Sequence, residues 1–177
     1  MVNKIALFAA AVAVVNVAVF YLAPAESFSL SLSDFQLQDL LLFQFAHFSV
    51  FHLFENLVGL MLTAALAIEL DVSMKKFMFA YFLGAFVSVP LLLMFPGAAI
   101  AGNSTAIFGA LAISLDRARG MISYKITYPL VTLFILGVSI VNSFEAGQLI
   151  AVRSDIFHIA GFAAGAGATL SIKELHI

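Results

Sequence analysis

The sequence predicts an all-α polytopic membrane protein, a bundle of six transmembrane helices with both termini on the cytoplasmic side. Of its 177 residues, 63% are hydrophobic and only 10% are charged, and the mean hydropathy is +1.11. Soluble domains carry about 25% charged residues, so this composition is typical of an integral membrane protein. Apolar segments approach the roughly 20 residues that a helix needs to cross the hydrocarbon core. One domain, residues 1–177, is predicted.

Six apolar segments are the predicted spans: residues 5–23, 40–68, 77–95, 103–115, 126–141 and 156–172. Proline, glycine or a charged residue stands at the breaks between them, where an apolar helical pattern would be interrupted. The fourth and sixth segments are short for a full crossing. They are therefore expected to start inside the membrane or in a water-filled recess.

Lysine and arginine set the predicted orientation. With six spans and a cytoplasmic N-terminus, the outside segments hold only Arg153, and the inside segments hold Lys4, Lys75, Lys76, Arg117, Arg119, Lys125 and Lys173. Positive charge is retained on the cytoplasmic side of membranes, so this bias favours the chosen orientation. The acidic first loop then faces outward.

The N-terminal segment permits a second interpretation. Lys4, the apolar stretch after it and Ala23-Pro24-Ala25 are similar to a signal peptide with its cleavage site. The apolar stretch is longer than the usual signal-peptide core, which favours a retained first span. Cleavage would leave the orientation of the other five spans unchanged.

Composition excludes several classes of function. The chain has no cysteine, which rules out a disulfide framework, thiolate catalysis and a cysteine-ligated metal. Its net charge is −2 and it has no basic cluster, so nucleic acid is not a predicted partner. No metal and no organic cofactor is predicted.

Four polar side chains interrupt the second predicted span, in the stretch HFSVFHLFEN: His47, His52, Glu55 and Asn56. Polar groups inside a bilayer are costly, so each needs a partner or a function. His52 and Asn56 are four residues apart and share a helix face, whereas His47 is expected to point elsewhere on the helix, nearer the outer surface. The pair either holds helices together by hydrogen bonds or acts at a functional site. A metal site is disfavoured because no third histidine or second carboxylate lies at matching depth.

The fourth predicted span opens with Gly-Asn-Ser-Thr, residues 102–105. Ser104 is suited to be a simple helix N-cap, whose hydroxyl accepts a backbone N–H. It also lies at the positive end of the helix dipole, among unpaired N–H groups that can bind developing negative charge. The position of the serine is compatible with both roles.

The sixth predicted span carries His158, followed by Gly161 and Gly165 in a small-x-x-x-small pattern that is typical of closely packed helices. The fourth span has its own small residues, Gly109 among them. If these two faces meet, Nε2 of His158 is expected within hydrogen-bonding distance of Oγ of Ser104. A base next to a hydroxyl is the arrangement that activates serine for acyl transfer.

Together, three motifs resemble those of the rhomboid intramembrane serine proteases. They are His47-x4-His52-x3-Asn56, Gly102-x-Ser104 and His158-x2-Gly161-x3-Gly165. Their order, spacing and span numbers match the basic six-span bacterial form, and the resemblance covers nearly the whole chain. It implies a rhomboid-like bundle in a prokaryotic cytoplasmic membrane, with the active site open to the outer face.

The resemblance also implies the roles of individual residues. Ser104 would be the nucleophile, and His158 the general base and then the general acid. His52 and Asn56 would join the backbone N–H of Ser104 in stabilising the oxyanion. No aspartate completes a triad in this family, so Asp155 is expected to start the sixth helix instead. The implied supporting residues are His47, which would brace the first outer loop, Gly102, Phe108, Gly109, Gly161 and Gly165.

The chain departs from the family pattern in three places. Thr105 follows the serine where glycine is common, and is expected to narrow the space beside the nucleophile. The first outer loop has no Trp-Arg pair, and Gln38 and Asp39 stand in that region. Glu55 stands where many members have an apolar or small residue. It is either protonated and hydrogen-bonded, or it tunes the oxyanion site.

The resemblance implies an intramembrane endopeptidase that cleaves transmembrane protein substrates in the lipid bilayer, near the outer membrane face. One alternative is a rhombosortase-type enzyme that processes C-terminal anchor segments of exported proteins, which the small size and short loops favour. Another is a catalytically inactive relative that binds transmembrane clients, which the presence of Ser104 and His158 disfavours. A transporter is disfavoured because repeated halves and matching broken helices are not visible. The sequence predicts no particular oligomeric state.

Overall fold

The structure, a computed structural model, describes residues 3–24, 27–118 and 149–174, which are mainly helical. The predicted fifth span, residues 126–141, lies outside the described residues. Within them the elements are α1 (Lys4–Leu22), β1 (Leu30–Ser31), α2 (Asp39–Leu42), a 3-10 turn (Phe43–Phe45), α3 (Val50–Glu69), α4 (Met74–Phe86), α5 (Ser88–Leu91), a second 3-10 turn (Leu92–Met94), β2 (Ala99–Ile100), α6 (Ser104–Ala118) and α7 (Leu149–Glu174).

Among the described residues, three helical segments are long and apolar enough to cross a membrane: Lys4–Leu22, Val50–Glu69 and Met74–Met94. Large apolar side chains remain exposed on them, such as Leu22 at 84% and Phe51 at 82%. Such surfaces are stable in lipid and not in water, because the hydrocarbon core accepts apolar side chains without a hydration cost. The chain is therefore an integral membrane protein, as its composition predicts.

The second predicted span, residues 40–68, is wrong at its N-terminal end. The chain forms α2 and a 3-10 turn, becomes extended at Ala46, and enters α3 only at Val50. Ser49 is the N-cap of α3, and its hydroxyl accepts the N–H of His52. This cap fixes the start of the helix and leaves His47 in the extended segment before it.

The third and sixth predicted spans also differ from the structure. Residues 77–95 do not form one regular helix, because α4 ends at Phe86, four residues before Pro90, and α5 follows. A proline ring clashes with the carbonyl four residues earlier, which explains the end of α4 there. In the sixth region α7 begins at Leu149, seven residues before the predicted start at residue 156. Charged residues mark the end of the apolar segment, but they do not end a helix.

Helix α6 lies at the centre of the described bundle, packed against α3, α4 and α7. It is 15 residues long, and side chains on nearly all of its faces are buried. Its C-terminal end lies beside that of α3, because Nε of Arg117 donates to the carbonyl oxygen of Leu70 at 3.3 Å. Helix α1 packs on α3 and α4 at one side of the bundle.

A short antiparallel ladder connects the first loop with the segment that leads into α6. Leu30 pairs with Ile100 and Ser31 pairs with Ala99. Leu30 is fully buried. The ladder therefore ties the loop after α1 to the chain four and five residues before Ser104.

Candidate functional site

The turn before α6 holds the backbone close to neighbouring elements. Gly102 has a φ of +96°, which a residue with a side chain rarely adopts, and its N–H donates to the carbonyl oxygen of Phe43 at 2.8 Å. The carbonyl oxygen of Asn103 accepts the N–H of Ile107, which is the first hydrogen bond of α6. Asn103 therefore occupies the cap position, and Ser104 is the first helical residue. The serine hydroxyl remains available for another partner.

That partner is His158 on α7. Its Nε2 lies 2.8 Å from Oγ of Ser104, although the two residues are separated by 54 positions in the chain. For the hydroxyl to donate to Nε2, a neutral imidazole must carry its proton on Nδ1. Nδ1 of His158 is buried and has no hydrogen-bond partner among the described residues. In this tautomer the hydroxyl of Ser104 is the donor and Nε2 of His158 is the acceptor.

Glycines allow α6 and α7 to approach each other. A Cβ at Gly161 would lie 3.0 Å from the carbonyl carbon of Thr105, and closer still to its oxygen. A Cβ at Gly165 would lie 2.7 Å from the carbonyl carbon of Gly109. These distances are too short for real Cβ atoms, so both positions require glycine if the helices are to keep this separation. Gly109 also faces α4, where a Cβ would lie 3.0 Å from Cα of Gly84.

The imidazole of His158 is held from one side by an aromatic ring. The rings of Phe108 and His158 are stacked, with centroids 4.8 Å apart and planes inclined by 17°. Phe108 lies one turn after Ser104 on the same helix, so the stacked ring and the hydroxyl fix the imidazole at two points. Packing of this kind selects one rotamer of the histidine.

Asp155 does not start the sixth helix, and that prediction is wrong. It lies in the second turn of α7 and is buried, 8% exposed. Residues three apart on a helix are neighbours, and the carboxylate interacts electrostatically with the His158 ring. It would attract the positive charge that His158 acquires on taking a proton.

His52 and Asn56 converge on the turn before Ser104. A Cβ at Gly102 would lie 2.8 Å from Nε2 of His52 and 3.0 Å from Nδ2 of Asn56, so both polar groups contact the bare backbone there. Asn56 is 3% exposed, and its Nδ2 has no hydrogen-bond partner among the described residues. A buried donor without an acceptor costs about 1–3 kcal/mol. The Asn56 amide is therefore suited to bind an acceptor atom of a ligand at this position.

The structure places His47 differently from the prediction that it points away on the same helix as His52. His47 precedes α3, and its ring centroid lies only 5.1 Å from that of His52. Nδ1 of His47 donates to the carbonyl oxygen of Phe45 at 3.1 Å, and the ring is 2% exposed. The histidine therefore links the 3-10 turn to the first turn of α3.

Two buried polar contacts beside the site were not predicted from the sequence. Nδ2 of Asn103 lies 3.1 Å from the hydroxyl oxygen of Tyr81 on α4, and both residues are fully buried. The hydroxyl of Ser88 on α5 donates to Oγ1 of Thr105 at 3.2 Å. The only sequence signal was that these polar residues lie in apolar surroundings, which does not identify their partners.

Glu55 is exposed on α3, next to the buried Asn56. The neighbouring Phe51 and Phe54 are exposed at 82% and 62%, so the carboxylate interrupts an apolar surface of the helix.

Among the described residues, no three histidine or carboxylate side chains are grouped so that they could hold a metal ion.

The helices and the half-buried serine–histidine pair define a helical integral membrane protein with a potential acyl-transfer site. The family model for the Rhomboid domain matches residues 34–174, which is most of the chain. The chain therefore belongs to the rhomboid family, whose members are generally intramembrane serine proteases acting on transmembrane substrates in the bilayer. The resemblance of the three motifs is thereby confirmed at the level of the family. Neither a curated protein nor a solved structure matches the chain.

Proposed function

We propose that the protein is an intramembrane serine endopeptidase that hydrolyses peptide bonds in transmembrane segments near the outer membrane face. The observation that carries this proposal is the 2.8 Å contact between Oγ of Ser104 and Nε2 of His158 on two different helices. A nucleophile within hydrogen-bonding distance of a base, with the base held by packing, is the arrangement required for covalent catalysis. Membership of the rhomboid family points to the same chemistry.

In the proposed mechanism, Oγ of Ser104 attacks the carbonyl carbon of the scissile bond while its proton passes to Nε2 of His158. His158 then gives this proton to the leaving amine as the carbon–nitrogen bond breaks, which leaves an acyl-enzyme. A water molecule next gives a proton to His158 and attacks the ester. Collapse of the second intermediate releases the new carboxyl product, and the proton returns to Oγ.

Negative charge on the carbonyl oxygen would be stabilised by three groups: the backbone N–H of Ser104, His52 and Asn56. Ser104 is the first residue of α6, so its N–H has no helical acceptor and lies at the positive end of the helix dipole. The buried and unpaired Nδ2 of Asn56 supplies a second donor. Hydrogen-bond donors that are already aligned stabilise the negative charge of the transition state without a cost of reorganisation.

The distribution of basic residues supports a cytoplasmic-membrane location with the site on the outer side. The C-terminal ends of α3 and α6 lie together at Leu70 and Arg117, on the side that the positive-inside bias assigns to the cytoplasm. Ser104 lies at the opposite end of α6. Substrates would then be cleaved at bonds that lie near the outer end of their transmembrane helix, where unwinding exposes the carbonyl.

Labelling with a fluorescent fluorophosphonate tests the proposal, because this reagent reacts preferentially with activated serine hydroxyls. The detergent-solubilised protein is expected to be labelled while folded and not after heat denaturation, and peptide mass spectrometry is expected to locate the adduct on Ser104. An adduct on another residue, or a folded protein that neither reacts nor cleaves a transmembrane peptide, would reject the proposal. In that case a role as a binder of transmembrane clients would take its place.

Substituting Asn56→Ala is expected to lower kcat for a transmembrane peptide by about 100-fold and to leave KM nearly unchanged, since one oxyanion donor typically contributes 10²–10³ in kcat. The substrate is a fluorophore–quencher peptide with one apolar helix and a Gly-Ala pair near its outer end. Thr63→Val is the matched control, because Thr63 is a buried polar residue further along α3, 4% exposed. Equal losses of kcat in the two variants would contradict the role of Asn56.

A further inference from the structure

Three buried polar side chains from three elements meet next to the turn that carries Ser104. Tyr81 from α4 and Asn103 are fully buried, and His47 from the segment before α3 is 2% exposed. Nδ2 of Asn103 lies 3.1 Å from the hydroxyl oxygen of Tyr81, and the Asn103 amide also interacts with the His47 ring. Asn103 is thus the central member of a chain of polar contacts between α4 and the first outer loop.

The hydrogen atoms of this cluster have one consistent arrangement. Nδ1 of His47 donates to the carbonyl oxygen of Phe45, so a neutral ring has only an acceptor at Nε2. With Nδ2 of Asn103 directed at Tyr81, its Oδ1 is a second acceptor, and both acceptors are without a partner among the described residues. The Tyr81 hydroxyl also has its own proton to donate.

Rotating the Asn103 amide by 180° about its terminal bond would match these groups as donors and acceptors. Oδ1 would then accept the hydroxyl proton of Tyr81, and Nδ2 would supply a donor for the unpaired Nε2 of His47. The two amide orientations occupy the same space, so the hydrogen-bonding partners decide between them. A buried polar group left unsatisfied is costly, which selects the rotated orientation.

We propose that Tyr81 and Asn103 are positioning residues for the catalytic serine, and that the Asn103 amide receives the Tyr81 hydroxyl proton and donates to His47. The backbone of Asn103 is fixed on both sides, by the Gly102 N–H on Phe43 and by its own carbonyl at the start of α6. The contact of the Asn103 side chain with Tyr81 is a further constraint on the position of this residue. Because Ser104 follows directly, the network sets the place of its Oγ and its backbone N–H. This inference rests on the proposed peptidase activity.

The first test removes a single oxygen atom. Tyr81→Phe is expected to lower kcat and the rate of fluorophosphonate labelling about tenfold, the equivalent of one buried hydrogen bond, with KM for the peptide unchanged. Ser114→Ala is the matched control. Ser114 is also fully buried, and its hydroxyl donates to the carbonyl oxygen of Ala110 at 2.8 Å, at the other end of α6. It is expected to lower the unfolding temperature without lowering kcat.

The second test asks whether Tyr81 acts through Asn103. Asn103→Leu keeps a similar volume and removes the amide, so adding Tyr81→Phe to it is expected to cause no further loss of kcat. Independent losses that multiply would contradict the network. So would a Tyr81→Phe variant that loses stability but not kcat, in the same way as Ser114→Ala.

A measurement on the native protein covers the case in which these variants do not fold. Nitrogen-15 NMR of the labelled histidine rings is expected to show His47 protonated on Nδ1 and hydrogen-bonded as an acceptor at Nε2. A proton on Nε2 of His47 would overturn the amide orientation and with it the proposal. Failure of the proposed peptidase activity is distinguishable, because the native protein would then not react with the fluorophosphonate.

Discussion

Replacing Ser104 by alanine is expected to abolish peptide-bond hydrolysis, with kcat falling by a factor on the order of 10⁴–10⁶. The substitution removes the atom that attacks the carbonyl, whereas the helix start and the oxyanion donors remain. His158→Ala is expected to be as severe, because Oγ then has no base at 2.8 Å. Since the two residues act as one unit, the double variant is expected to be no slower than either single variant. Cleavage of the fluorophore–quencher peptide measures all three.

Thr105→Val is the matched control for the loss of a hydroxyl next to the site. Oγ1 of Thr105 accepts from Ser88, whereas Nε2 of His158 is paired with Ser104, so this variant is expected to retain most of its activity. A Ser104→Ala variant that still cleaves the peptide at a measurable fraction of the native rate would show that another group is the nucleophile. Losses that multiply in the double variant would show that Ser104 and His158 act separately.

Gly161→Ala is expected to lower kcat about 100-fold, because a displacement of about 1 Å between reacting groups has this effect. The new Cβ would lie 3.0 Å from the carbonyl carbon of Thr105, the residue directly after Ser104. Backbone cannot yield as a flexible side chain does, so α6 and α7 must separate. His158 lies less than one turn away on α7, and its Nε2 would then lie too far from Oγ. The labelling rate and the peptide kcat measure the loss.

Gly167→Ala is the control on the same helix. No atom lies within 4 Å of a Cβ at that position, so the same chemical change is expected to leave the activity intact. Both variants replace glycine by a better helix former, which gains up to about 1 kcal/mol in a helix interior. An active Gly161→Ala protein would show that the separation of α6 and α7 does not set the geometry of the site.

Properties that depend on local sequence were predictable. The composition indicates a membrane protein, and the four-residue spacing of His52 and Asn56 places them on one face of α3, because the helical period is 3.6 residues. The glycine pattern of Gly161 and Gly165 predicts a close helix contact, and the structure places both glycines against the α6 backbone. Each of these inferences requires only one helix or a pair of complementary faces.

Properties that depend on the ends of elements and on distant partners were not predictable in this way. Apolar composition continues through residues 43–50, and the break before α3 appears only in the cap that Ser49 forms with His52. Some of the seven additional residues at the start of α7 are polar or charged. Hydropathy locates the apolar segment that could lie in a membrane, and it does not locate the ends of the helix. The contact of Asn103 with Tyr81 joins residues 22 positions apart, and no local pattern encodes it.

The short length of α6 makes bilayer thickness a determinant of where a substrate would be cut. The 13 residue steps from the exposed Arg117 back to Ser104 rise only about 20 Å, at 1.5 Å for each residue. In the proposed orientation Arg117 would lie at the inner surface, and a hydrocarbon core of about 30 Å would place the proposed nucleophile about 10 Å below its outer edge. The depth of Ser104 in the membrane would then determine the cleavage position. In a thicker bilayer a substrate helix would be tilted or recessed and would present a different carbonyl at this depth. The cleavage position would therefore shift along the same transmembrane segment.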